Sequence, residues 1–174
     1  MVIERAAYEL RPPVAADAEA LGRLHCQVWR DTYADVMDPA AYAALSPKRF
    51  TAGWRRRLEG ASDEGLMAGG DTVRIAEHRR DGIVGFISVG PARDENPPTP
   101  WQLWALNIVA AHQGTGLAQH LMSEGLGDGP AYLHVARGND RAIAFYLRHG
   151  FALDGTEVVD GHDGITEVRM VRHG

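Results

Sequence analysis

The first sixty residues have apolar positions at the spacing of helices. Leu21, Leu24 and Val28 recur three and four positions apart, as on one helix face, and Asp17 stands where a helix N-cap is expected. Residues 29–39 lack this regularity and predict a loop or a short turn. A second helical region then carries apolar residues at similar spacing: Tyr42, Leu45, Phe50, Trp54 and Leu58.

The rest of the chain alternates between strand patterns and two further helices. The predicted strands are residues 8–10, 71–78, 83–89 and 103–109, a short strand around 133–135, and two strands within 152–172. Turns are predicted at residues 80–82 and 160–164. This order predicts a single domain over residues 1–174, of the α+β class, with a mixed and largely antiparallel sheet.

A glycine-rich turn joins the strand at 103–109 to an amphipathic helix. It reads Gln113-Gly-Thr-Gly-Leu-Ala118. The first turn of a helix has unpaired N–H groups, and together with the helix dipole they favour an anion such as a diphosphate. Gly114 and Gly116 lack Cβ atoms, so a bulky ligand can approach the backbone closely. The turn therefore predicts a phosphate-binding loop.

A second segment begins about twenty residues further on, where a short strand is followed by a helix. Asn139 opens this helix, Tyr146 lies seven residues later, and Gly150 closes it. Seven residues are about two helical turns, so Asn139 and Tyr146 project from the same face. Two other interpretations stay open: Asn139 as a plain N-cap, and Tyr146 as a core residue beside Phe145 and Phe151.

In this order and at this separation, the two segments resemble the Gcn5-related N-acetyltransferase (GNAT) family. The resemblance implies a GNAT-like sheet flanked by helices, with a V-shaped cleft for acetyl-CoA, and an enzyme that acetylates an amine. It implies that Tyr146 acts as general acid on the leaving thiolate. It also implies these cofactor-binding residues: Leu106, Asn107, Ile108, Gln113, Gly114, Thr115, Gly116, Leu117, Ala118, Gln119 and Asn139. The family includes dimers, and no feature of the sequence decides for or against a homodimer.

The general base is less well defined by the sequence. His134 occupies the strand position at which some family members carry a glutamate, and the pKa of an ordinary imidazole suits proton acceptance near neutral pH. A water chain, or an amine that arrives already deprotonated, is the alternative. Asn107 shows that the preceding strand offers no carboxylate at its end.

The acceptor-binding residues are expected in the first third of the chain. Trp29, Asp31 and Tyr33 combine aromatic faces with a carboxylate, and Trp104 adds a further aromatic wall. Such groups suit a cationic small-molecule amine, although packing of the core and capping of a helix explain the same residues. Two other functions stay open, namely a non-catalytic acyl-CoA sensor and an acetyltransferase of protein N-termini.

The composition argues against several other classes of protein. A net charge of −5 argues against a nucleic-acid partner, and the absence of long apolar runs argues against a membrane span or a signal peptide. Cys26 is the only cysteine, so no internal disulfide is expected, and a cytoplasmic protein follows. No metal site is expected, because His112 and His120 lack a ligand-like spacing.

Overall fold

One seven-stranded sheet organises the protein in this computed structural model, which describes residues 7–67, 69–159, 161 and 163–174. The strands are β1 Tyr8–Arg11, β2 Thr72–His78, β3 Gly82–Pro91, β4 Trp101–Ile108, β5 Ala131–Ala136, β6 Ala152–Val159 and β7 Thr166–Arg172. Their order across the sheet is β1-β2-β3-β4-β5-β7-β6, and only β4 and β5 run parallel. The predicted α+β class with a mixed, mainly antiparallel sheet is confirmed.

Five α-helices flank the sheet in the described part of the chain. They are α1 Ala18–Tyr33, α2 Pro39–Ala43, α3 Pro47–Leu58, α4 Leu117–Gly125 and α5 Asp140–Arg148. The loop predicted at residues 29–39 is wrong in its first half, because Trp29 and Tyr33 continue the apolar face of α1 at four-residue steps. The second helical region is split, since Ser46 caps a new helix at Pro47 by accepting from the N–H of Arg49 at 3.2 Å.

Two other local predictions concern Asp17 and the turn at residues 160–164. Asp17 precedes α1 without capping it, because its carboxylate instead pairs with Arg11 at 2.7 Å and accepts from the N–H of Val14. The turn predicted at 160–164 is only partly visible, since residues 160 and 162 lie outside the described residues. No helix in the described residues is both long enough and apolar enough to cross a membrane.

The core lies on both faces of the sheet. Successive residues of β3 point to opposite sides, so Phe86 packs with Trp54 on the face covered by α1 and α3. Ile87 packs with Leu117 and Leu121 on the face covered by α4. All of these side chains are almost fully buried. The central strands are therefore fixed on both faces, which makes their ends a rigid frame for a site.

The parallel strands β4 and β5 separate soon after they meet. They pair only at Gln102 with Tyr132 and at Leu103 with Leu133, although both strands continue beyond these positions. A register shift between β3 and β4 coincides with the separation, because Ser88 pairs with Ala105 whereas Val89 pairs with Leu103. Trp104 is the extra residue, and such a bulge redirects a strand. The result is the V-shaped opening that the resemblance implies.

Candidate active site

A cavity of about 740 Å³ occupies this opening between β4, β5, α1 and α5. Most of the residues predicted for the site line it: Trp29, Tyr33, Trp104, Leu106, Asn107, Ile108, Gln113, Gly114, Gly116, Ala118, Gln119, His134, Asn139 and Tyr146. Three predicted residues do not. Asp31 is exposed and lines an adjoining depression that shares Gln113, Asn139 and Arg141 with the cavity. The side chain of Leu117 is buried in the core, and Thr115 turns towards His112.

The glycine turn presents unpaired N–H groups at the start of α4. Gly114 and Gly116 adopt φ angles of 75° and 87°, which glycine tolerates and other residues avoid. The N–H of Leu117 bonds to Thr115 Oγ1 at 3.4 Å. The remaining N–H groups of the turn bond to no acceptor in the described residues. They are those of Gly114, Thr115, Gly116, Ala118 and Gln119. These donors and the helix dipole could hold an anion at one end of the cavity.

An arginine that the sequence did not single out lies beside this turn. Arg141, in the first turn of α5, donates to the Oε1 of Gln113. The amide nitrogen of Gln113 in turn donates to the Ile108 carbonyl at 2.9 Å, which ties the turn to the end of β4. Arg141 thus places a positive charge next to the unpaired N–H groups. The only signal in the sequence is its position two residues after Asn139.

Asn139 caps α5 by accepting from the N–H of Ala142 at 3.2 Å, so the N-cap interpretation is confirmed. The cap uses only the oxygen of the side chain. Its NH₂ group has no acceptor in the described part of the chain, and Asn139 lines the cavity. Capping therefore leaves its donor available for a ligand.

Tyr146 lies two turns along α5 and is 8% exposed. Its ring packs against Phe145 and Phe151 with centroid distances of 5.3 and 5.7 Å, so the interpretation of Tyr146 as a core residue is confirmed. The residue also lines the cavity, and its hydroxyl bonds to no group in the described residues. Burial, and to a lesser degree Tyr33, raises the pKa of Tyr146. The hydroxyl is therefore protonated at neutral pH, as a general acid must be.

His134 lines the cavity but is already engaged on one side. Its Nε2 lies 3.1 and 3.2 Å from the two oxygens of Asp94, which also accepts from Arg169 at 2.9 Å. Burial opposes ionisation of Asp94, yet the bonds from Arg169 and His134 lower its pKa overall. The Nδ1 of His134 is buried without a hydrogen-bond partner. The bond to Asp94 occupies Nε2, so Nδ1 would have to accept a proton from a ligand, and its burial counts against that role.

Glu167 is a cavity residue that the sequence analysis missed. It is the only carboxylate among the described residues that line the cavity. It lies on β7 opposite Ala136 of β5, and its charge, after burial, raises the pKa of Tyr33 to about 12. No local pattern marks it, because Tyr33 and Glu167 are brought together by the sheet from opposite ends of the chain.

One face of α1 forms an aromatic wall. His25, Trp29 and Tyr33 follow each other at four-residue steps, with ring centroids 5.7 and 5.2 Å apart. Burial, reinforced by the charge of Arg57, lowers the pKa of His25 to about 3, so this imidazole is neutral. Asp31 faces away from the wall, where it accepts from Gln27 at 2.7 Å, because it is out of phase with the four-residue steps. The structure therefore does not place Asp31 with the other acceptor residues.

A cluster of His78, Asp81 and His112 supports the glycine turn from outside. Its ligand atoms lie within 4.8 Å of one another, a spacing that the sequence did not reveal because His112 is distant along the chain. His112 Nε2 lies 3.1 Å from Asp81, and its Nδ1 lies 2.9 Å from the hydroxyl of Tyr8. Both ring nitrogens thus have protein partners without an ion. The carbonyl of His112 accepts from Thr115 at 2.8 Å, so the cluster anchors the turn.

The model of the acetyltransferase (GNAT) family matches residues 29–151, which contain the cleft and the turn. The chain belongs to this family. A protein of Bacillus subtilis (strain 168), the uncharacterized N-acetyltransferase YuaI, is 24% identical over 137 residues, or 78% of this chain. The matched region covers 62% of the length of that relative, so the chain spans less than two thirds of it.

Solved structures share the fold. The PaiA N-acetyltransferase of Thermoplasma acidophilum, in complex with coenzyme A, is 19% identical with a TM-score of 0.68, over 96% of this chain and 99% of that one. A spermidine N-acetyltransferase SpeG variant of Vibrio cholerae is 17% identical with a TM-score of 0.61, over 96% and 94% of the two chains. At these identities the likeness shows the fold alone.

Proposed function

We propose that the protein is an N-acetyltransferase that uses acetyl-CoA and acetylates a small-molecule amine. The observation that carries the proposal is a single cavity with unpaired N–H groups at one end and the protonated hydroxyl of Tyr146 along its wall. Membership of the acetyltransferase family supports it, as does the coenzyme A complex of the T. acidophilum protein.

Different residues bind or protonate different parts of acetyl-CoA along the cavity. The N–H groups of the glycine turn, with Arg141, bind the diphosphate of the coenzyme. The end of β4, from Leu106 to Ile108, binds the pantetheine with backbone groups that β5 leaves unpaired, and Asn139 donates to it from the other side. Acetyl-CoA supplies the activated acetyl group as a thioester. Tyr146 donates its hydroxyl proton to the departing sulfur.

The amine must lose a proton, and the cavity offers two candidate acceptors. Glu167 is the stronger candidate, because it is a carboxylate of the cavity wall and its charge contributes to the raised pKa of Tyr33. His134 stays a prediction, weakened by the burial of its Nδ1. Glu167→Gln is expected to lower kcat, whereas His134→Gln should leave kcat close to that of the wild type. The opposite result would assign the proton transfer to His134.

The decisive experiment follows thiol release from acetyl-CoA against a panel of amines. We expect turnover with the wild type, and for Tyr146→Phe a fall in kcat of about 100-fold or more at unchanged affinity for the coenzyme. Tyr42→Phe is the matched control, because Tyr42 does not line the cavity. An unchanged kcat would remove Tyr146 from the reaction.

Two other functions make different predictions in the same assay. Tight coenzyme binding with no turnover of any acceptor would indicate a sensor. Turnover of peptides but of no free amine would indicate an acetyltransferase of protein N-termini. A cytoplasmic location and a homodimer stay predictions.

A further inference from the structure

Two arginines stand at the end of the cavity that faces away from the glycine turn. Arg57, on α3, and Arg93, after β3, both line the cavity. Burial lowers the pKa of Arg93, the charge of Asp71 opposes this shift, and the charge of Arg57 adds to it with a smaller effect, so the two arginines lie close together. A guanidinium keeps its charge under such conditions. This end of the cavity is therefore cationic, which the sequence did not predict.

One carboxylate lies near both guanidinium groups but pairs with only one of them. Asp71, which is 1% exposed, accepts from Arg57 and also from the hydroxyl of Ser88 at 2.6 Å. Arg57 donates to Ser88 at 3.2 Å as well, so Arg57, Asp71 and Ser88 form a closed group. Arg93 has no ion pair with any carboxylate in the described residues. Two positive charges thus face one negative charge in the wall of a cavity.

Arg93 is exposed, and its guanidinium lies over the ring of Trp104. Its Cζ lies 3.1 Å from the centroid of the Trp104 ring, which makes a stacked cation–π contact. Trp104 is itself fixed, because its indole N–H donates to the Pro91 carbonyl at 3.1 Å and its backbone forms the bulge in β4. A guanidinium held against a ring can offer two parallel N–H groups to a carboxylate at a reduced cost in conformational entropy.

The position of this pair relates it to the reacting group. Trp104 precedes Leu106 by two residues on β4, a separation of about 7 Å along a strand. The proposed function binds the pantetheine from Leu106 to Ile108. With the acetyl group at the Leu106 end of this stretch, an acceptor amine lies within reach of Arg93. A compact molecule with an amine and a carboxylate can span both points, whereas a polyamine would place a second cation beside two arginines.

From this charge arrangement we propose that the acceptor is a small amine that carries a carboxylate, of the amino-acid class. Arg93 binds the carboxylate, and Arg57 and Ser88 complete its surroundings. The proposal rests on the proposed function and narrows its substrate. It departs from the cationic acceptor expected from the sequence, for which Asp31 was to supply a charge that the structure places outside the cavity.

The test compares acceptors that differ only in the acid group. Amino acids, their amides and their decarboxylated amines are assayed with acetyl-CoA, on the wild type and on Arg93→Gln. We expect kcat/KM for the best amino acid to exceed that of its decarboxylated amine by about 100-fold. Arg93→Gln should remove most of this ratio, with little change for the amine. Arg56→Gln, an exposed neighbour of Arg57 on α3, is the control and should keep the ratio.

Binding is measured separately, so that the two proposals can fail separately. N-acetylated amino acids are titrated calorimetrically into the protein saturated with coenzyme A, and Arg93→Gln is expected to weaken their binding by a similar factor. Turnover of decarboxylated amines with a ratio near one would overturn the carboxylate proposal and leave the acetyltransferase standing. An equal loss for acids and amines in Arg93→Gln would also overturn it, since Arg93 would then act only by packing. Absence of turnover with binding intact would count against the proposed function alone.

Discussion

A substitution in the glycine turn can separate an effect on folding from an effect on coenzyme binding. Gly114 and Gly60 share a φ angle of 75°, and a Cβ added at either would meet no atom within 4 Å. Alanine at either position therefore introduces the same backbone strain and no clash within the protein. We expect the free energy of unfolding to fall by about 1–2 kcal/mol in both variants.

Only Gly114→Ala is expected to affect the coenzyme. Its methyl group would stand in the open space where the diphosphate approaches the N–H groups of the turn. Losing one charge-assisted hydrogen bond costs about 1.5–3 kcal/mol, which corresponds to a Kd roughly 10- to 150-fold higher. Isothermal titration with coenzyme A measures the Kd, and thermal unfolding measures the stability. Equal Kd values for Gly114→Ala and Gly60→Ala would refute the loop assignment.

Two further predictions concern the acceptor end. A Cβ at Gly90 would lie 2.6 Å from the Trp104 ring, so Gly90→Ala should displace the ring, lower stability by about 1–3 kcal/mol and raise the acceptor KM. A Cβ at Gly129 would meet nothing within 4 Å, so Gly129→Ala should leave both the stability and the acceptor KM unchanged. Equal acceptor KM values in the two variants would contradict this prediction. His25 has a pKa of about 3 when folded, against about 6.5 when unfolded, so the unfolded state binds more protons between these values. Stability should therefore fall by about 2 kcal/mol from pH 6.5 to 5, and His25→Phe should show a smaller fall in pH-dependent thermal unfolding. A fall as large as in the wild type would contradict the burial of a neutral imidazole.

The parts predicted well from the sequence are those built from neighbouring residues. The turn at 113–118 and the cap at Asn139 depend on glycine and asparagine at fixed offsets from a strand and a helix, and the structure shows both elements in place. The order of strands and helices likewise predicts the class of fold, because each element has its own periodicity. The family resemblance rests on the same local segments.

The parts that were missed depend on contacts between distant segments. Glu167 meets Tyr33 across the sheet, and Asp71 meets Arg57 only because β2 and α3 pack together. The end of α1 was predicted as loop because the polar residues between Trp29 and Tyr33 hide a continuous apolar face. Charge balance inside a cavity is a property of the folded chain, so no spacing in the sequence indicates which arginine lacks a carboxylate.

A crystal structure of the protein with coenzyme A tests the central claim most directly. We predict diphosphate oxygens about 3 Å from the N–H groups of Gly114 and Gly116, the pantetheine between β4 and β5, and the sulfur beside the hydroxyl of Tyr146. A coenzyme bound elsewhere, with those N–H groups in contact with water alone, would contradict it.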